Sequence, residues 1–224
     1  MKKPVVDYRR LRRSNLTSPE FSHLLLLLYW PLFGILFQFV ERGYRVEQYY
    51  PMYCPLDDLI PFCEWFVLAY TFWFVFLAGM HLYTLLYEPT LFRKMMYFIM
   101  ITYTVTIVIY FLFPTCQQLR PTEFQRDNPL TRFVAGYYNF DTNTNVCPSI
   151  HVIGSLAVMF TALHCRGFRW PIKAGFVIVA LLICLSTVFL KQHSVLDVAA
   201  ALPLCTVAYF ICFGRSKRND LYSV

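Results

Sequence analysis

With 224 residues, 58% hydrophobic content and only 15% charged residues, the chain lies well to the membrane side of a soluble domain, which averages about 45–50% apolar and about 25% charged. The length allows one domain or at most two. The net charge of +7 raises nucleic acid as a partner, but the basic residues sit beside apolar runs, a pattern that suits an anionic membrane surface and speaks against nucleic acid.

In chain order, residues 1–23 read as a polar, basic segment with no cleavable signal-peptide pattern. The core, residues 24–213, holds six apolar runs near the roughly 20 residues a helix needs to cross a bilayer. They cover 24–40, 61–87, 95–113, 148–164, 171–190 and 194–213, and the first and fourth are short. Residues 214–224 form a basic tail. This pattern predicts an all-α integral membrane protein with about six transmembrane helices and no internal repeat.

Lysine and arginine excess marks cytoplasmic loops. With the N-terminus inside, the inner set is Lys2, Lys3, Arg9, Arg10, Arg12, Arg13, Arg93, Lys94, Arg166, Arg169, Lys173, Arg215, Lys217 and Arg218. The outer set is smaller: Arg42, Arg45, Arg120, Arg126, Arg132 and Lys191. Both termini are therefore expected in the cytoplasm, in a multi-pass membrane protein. Cys54, Cys63, Cys116 and Cys147 fall on or near the outer face, an even set that permits disulfides in an oxidising compartment. His23, His81 and His164 fall near inner ends of spans and read as structural.

Three polar pieces meet at the outer face in this topology. They are Leu119-Arg120-Pro121 in the long loop 114–147, Pro148-Ser149-Ile150-His151 at the start of the fourth span, and the stretch from Ser186 to Val198. His193 and Asp197 are four apart, which on a helix puts them on one face. A carboxylate there holds the imidazole's Nδ1–H, fixes the tautomer and leaves Nε2 as a nucleophile. Two imidazoles, a serine, an arginine and an aspartate fit phosphoryl transfer through a phosphohistidine. One ring attacks phosphorus, the other moves the proton, and Arg120 with Ser149 cradles the oxygens. Pro148 suits the first turn of a helix whose free N–H groups attract phosphate.

These residues resemble the type 2 phosphatidic acid phosphatase superfamily, whose signatures are K-x6-R-P, P-S-G-H and S-R-x5-H-x3-D. Arg120-Pro121 matches the end of the first, Pro148-Ser149-Ile150-His151 the second except for glycine, and Ser186, His193 and Asp197 the third. The resemblance implies that family's helical core, a nucleophile at His193 oriented by Asp197, and His151 as general acid/base. It also implies phosphate binding by Arg120 and Ser149, no metal for this step, and a lipid phosphate substrate such as phosphatidate or an undecaprenyl pyrophosphate. Ser186, inside the fifth span, either contributes to phosphate binding or bonds to its own helix. Two cationic positions are lost: Phe113 stands where the family has lysine, and Thr187 where it has arginine. Lys191, Arg126 and Arg132 are candidate replacements, and spacing does not choose among them. The departures resemble the inositol phosphorylceramide and sphingomyelin synthase branch, which passes a phospho-headgroup to a lipid alcohol; the reading is thus a lipid phosphatase, with a headgroup transferase as the alternative. A lipid transporter, or an inactive relative acting as a partner, is the rival from another class.

Overall fold

A computed structural model describes residues 4–214, so Lys2, Lys3, Arg215, Lys217, Arg218 and nearly all of the basic tail lie outside the described residues. Five helical segments among the described residues are long and apolar enough to cross a bilayer, Ser22–Gly43, Glu64–Tyr87, Pro89–Leu112, Trp170–Phe189 and Val195–Phe213, and Ile150–His164, where the sequence predicts the fourth of six spans, is a shorter apolar helix. The first is composite: a 3-10 stretch Ser22–Leu28, helix α1 (Tyr29–Gln38) and a π-helical turn Phe39–Gly43. A short α2 (Leu56–Leu59) precedes α3 (Val67–Tyr87) and α4 (Pro89–Leu112). Then come α5 (Pro129–Phe140), α6 (Ile150–His164), α7 (Trp170–Phe189) and α8 (Val195–Phe213). Strands β1 (Tyr50–Pro51) and β2 (Thr115–Cys116) pair in parallel and join the two loops at one end of the bundle.

Two expectations shift. The third span begins at Pro89 rather than at 95, because Pro89 occupies the first helical turn and starts the helix before the apolar run. Arg93 and Lys94 therefore lie inside α4, where the Arg93 guanidinium donates to Ser22 Oγ and the Pro19 carbonyl. Within the long loop a further helix appears, α5, which Asn128 caps by accepting from the Leu130 and Thr131 N–H groups.

Helix α6 is the axis of the bundle. It packs against α3, α4, α7 and α8, while α1 leans mainly on α4. Val152, Ile153, Ala157, Val158 and Ala162 of α6 are fully buried, whereas Ile35, Leu68, Val75, Leu181, Val207 and Phe210 of the surrounding helices face outward. Helices apolar all round, exposed on their outer faces, suit lipid rather than water. A short helix suffices at the axis because its neighbours, not the bilayer, surround it.

Gly154 is the tightest point of α6. A Cβ there would stand 2.8 Å from both Trp73 Nε1 and Tyr103 Oη, and both rings are buried. Gly154→Ala is expected to destabilise the fold by about 1–3 kcal/mol through overpacking, read as a lower melting temperature in detergent. A neutral result would mean that the α3–α4–α6 contact is looser than described.

The connections sort into two ends. Val5 N–H donates to the Leu86 carbonyl, and Tyr8 Oη to the Leu85 carbonyl, which pins the basic N-terminal segment to the end holding the α3–α4 and α6–α7 turns. His81 and His164 bond to carbonyls of their own helices, and His23 meets the Tyr8 hydroxyl. At the opposite end, loops 44–63 and 114–149 cover the starts of α6 and α8. Glu41 accepts from Thr142, Thr144 and Asn145 there, while Glu64 accepts from Asn128. All eight cysteines are free thiols, so none of the pairings open to Cys54, Cys63, Cys116 and Cys147 is formed.

Candidate active site

Helix α7 ends in a tight turn that presents His193. Leu190, Lys191, Gln192 and His193 donate their N–H groups back to the last turn of α7, the last two to the Thr187 carbonyl at 3.0 and 3.1 Å. Lys191 adopts the left-handed conformation, φ 55°, that lets the chain reverse there. Ser194 then caps α8, and Asp197, at the third helical position, reaches back to the Ser194 N–H at 2.9 Å.

His193 thus lies just before the helix, not on it. The same Asp197 Oδ2 accepts from Ser194 N–H and sits 3.1 Å from His193 Nδ1. The carboxylate serves the cap and the imidazole together, so capping does not exclude the imidazole contact. Asp197 is fully buried, and its Oδ1 has no partner. With Asp197 on Nδ1, Nε2 is the ring nitrogen of His193 left without that contact.

Ser149 caps α6, its Oγ accepting from the Val152 N–H at 3.5 Å. Pro148 therefore falls one residue before the cap and outside the first turn; its carbonyl accepts from the Tyr110 hydroxyl at 2.7 Å. The Ser149 N–H donates to the Asp197 carbonyl at 3.2 Å, which joins the starts of α6 and α8. His151, in the first turn of α6, then faces His193 with ring centroids 6.0 Å apart. That separation is too wide for the rings to bond directly to each other.

The other candidates are placed as follows. Arg120 crosses the floor of the long loop, its guanidinium donating to the carbonyls of Tyr138, Asp141 and Thr142 and to Gln192 Oε1, and lying 4.5 Å from the Tyr138 ring centroid. Its Nε is buried without a partner. Ser186 Oγ donates to the Ile183 carbonyl of its own helix at 2.6 Å. Lys191 Nζ donates to the Asp57 carbonyl at 2.6 Å, on the wall of a cavity of about 550 Å³ that Tyr53, Asp58 and Leu119 also line. Burial pulls the Lys191 ammonium below the usual lysine value, against the opposing pull of Asp57 and Asp58. No group of three His, Cys, Asp or Glu side chains suited to a metal ion occurs among the described residues.

The PAP2 superfamily model matches residues 94–220, more than half of the chain. The chain belongs to the PAP2 superfamily. No curated protein and no solved structure showed a significant match. Members of the PAP2 superfamily are mostly phosphatases or phosphotransferases, which supports lipid-phosphate chemistry of that general kind.

The PAP2 centre of this chain holds four residues that the sequence motifs do not reveal. Asp57, from the first loop, accepts from Ser194 Oγ at 2.6 Å, Val195 N–H at 2.8 Å and Cys54 N–H at 2.8 Å, so it clamps that loop onto the start of α8. Gln192 bridges Arg120 and Asp141. Asp141, at the end of α5, accepts from the Tyr70 hydroxyl at 2.7 Å. Burial pushes its carboxyl above the usual carboxylate range, while the Tyr70 hydrogen bond, His193 and Arg120 oppose that rise. Of the two lost cationic positions, Phe113 points outward, and Thr187 Oγ1 is tied to the Cys184 carbonyl. Only the adjacency of Gln192 to His193 offers a sequence signal for any of the four.

Proposed function

We propose that this PAP2 protein removes phosphate from a membrane lipid phosphate or pyrophosphate through a phosphohistidine on His193. The observation that carries the reading is the pair of imidazoles 6.0 Å apart, with Asp197 on Nδ1 of one of them. His193 Nε2 attacks phosphorus, the N–P bond forms and the P–O bond to the lipid breaks. His151 gives its proton to the departing oxygen. Water then enters, His151 takes back a proton, the new P–O bond forms and the N–P bond breaks, which frees His193. Ser149 and the first N–H groups of α6 lie beside this path and suit the non-bridging oxygens.

The position of Arg120 supports phosphate binding, since its guanidinium bonds to Gln192, the residue just before His193. Its guanidinium already serves carbonyl acceptors, however, and the Phe113 and Thr187 positions bring no charge. This low cationic charge favours a second reading, in which the donor is a phosphodiester lipid and the acceptor a lipid or polyol hydroxyl. The basic residues gather at the bundle end away from the site, which supports a cytoplasmic assignment for that end and an extracytoplasmic site.

Purified protein in mixed micelles, given phosphatidate and then a phospholipid with ceramide or diacylglycerol, separates the two readings by mass spectrometry. Free phosphate is the expected product of the first, and a new headgroup-bearing lipid that of the second. Absence of both across a broad donor panel would contradict the proposal and favour an inactive relative.

A further inference from the structure

His193 has a carboxylate on Nδ1, and His151 has one too, at one remove. The Tyr70 hydroxyl lies 3.3 Å from His151 Nδ1 and donates its single proton to Asp141 Oδ2 at 2.7 Å. Its oxygen is therefore left to accept, and His151 Nδ1 is the donor. The Tyr70 ring also stacks on His151 with centroids 4.2 Å apart, and Trp73 closes on the imidazole at 4.5 Å. His151 Nε2 is buried and has no partner, so it is the nitrogen left for the reaction.

We propose that Tyr70 and Asp141 are positioning residues that hold His151 with its proton on Nδ1 and Nε2 free for proton transfer. This rests on the reading of His193 as nucleophile and His151 as acid/base. The two imidazoles then differ in a useful way. Direct contact with Asp197 enhances the nucleophilicity of His193. A neutral phenol between His151 and Asp141 orients the ring without binding the imidazolium as strongly, which suits a group that must both give and take a proton. Around His151 the facing groups are Tyr70 and Trp73 of α3 and His193 of the α7–α8 turn. Around Asp141 they are Tyr70, Gln192, Arg120, His193 and Glu41. The tyrosine, the aspartate and the histidine come from α3, the end of α5 and α6, so no local motif contains them.

The test compares a long-chain alkyl lipid phosphate, whose alkoxide needs a proton to leave, with an aryl phosphate, whose phenolate does not. The readout is kcat/KM, which reports the steps up to leaving-group departure. Tyr70→Phe keeps the stacked ring, and Asp141→Asn keeps the shape. Each is expected to lower kcat/KM for the alkyl substrate roughly 10–100-fold and for the aryl substrate less than about 3-fold. Equal losses on both substrates, or no loss on either, would overturn the proposal. Should Tyr70→Phe fail to fold, Asp141→Asn carries the test from outside the bundle. His193→Ala runs beside them: turnover of the aryl phosphate that survives in it would overturn the nucleophile itself, a different failure from that of the positioning pair.

Discussion

Replacing His193 by alanine is expected to lower turnover of the lipid substrate on the order of 10⁴–10⁶-fold, the scale on which loss of a nucleophile acts. The fold should survive, because the cap of α8 does not depend on the ring. Ser194 N–H still meets Asp197 Oδ2, and Asp57 still holds Ser194 Oγ and Val195 N–H. A melting temperature within a few degrees of the parent, together with lost turnover, would assign the loss to chemistry. A transporter or scaffold would keep its activity in this variant.

Asp197→Asn carries the second large effect, and it separates the two jobs of one oxygen. The amide matches the carboxylate in shape and can still accept from the Ser194 N–H, so the cap persists. What it loses is the negative charge on His193 Nδ1, and an amide turned the other way donates to Nδ1 and selects the wrong tautomer. Turnover is expected to fall roughly 10²–10⁴-fold, as when a histidine loses its orienting carboxylate elsewhere, with melting little changed. A loss under about 3-fold would reduce Asp197 to a helix cap.

The spans were legible because burial inside a bilayer demands long apolar runs, and only their ends moved. Arg93 and Lys94 hid the true start of α4, since a helix can carry charges through its first turns once it lies at the edge of the bundle. The His193–Asp197 pair was legible for a reason that differs in detail from its spacing on a helix. The contact arises because a residue at the third helical position reaches back across a cap to the chain that precedes it.

Tyr70 and Asp141 were illegible on physical grounds. They are 71 positions apart, and α5 meets the start of α3 only once Asn128 and Glu64 are joined and the long loop has folded back. Tyr70 looked like one more aromatic residue in a span, and Asp141 like a loop charge. Arg120 illustrates the opposite case. Its motif was visible, but its surroundings were not: four acceptors from the long loop and Gln192 surround a guanidinium that the sequence alone presents as free. The loss of basic residues at Phe113 and Thr187 is thus accompanied by an arginine engaged with the protein and by a half-buried carboxyl, Asp141, close to the two imidazoles.

The central claim is a covalent phosphohistidine on His193, and its most direct test is rapid quenching of the protein with a donor lipid radiolabelled at phosphorus. The expected result is a label on the wild-type chain that withstands alkali, is lost in acid, as a phosphoramidate is, and is absent from His193→Ala. No label on wild-type protein during turnover, an acid-stable label on Ser149, or the same label in His193→Ala would contradict it.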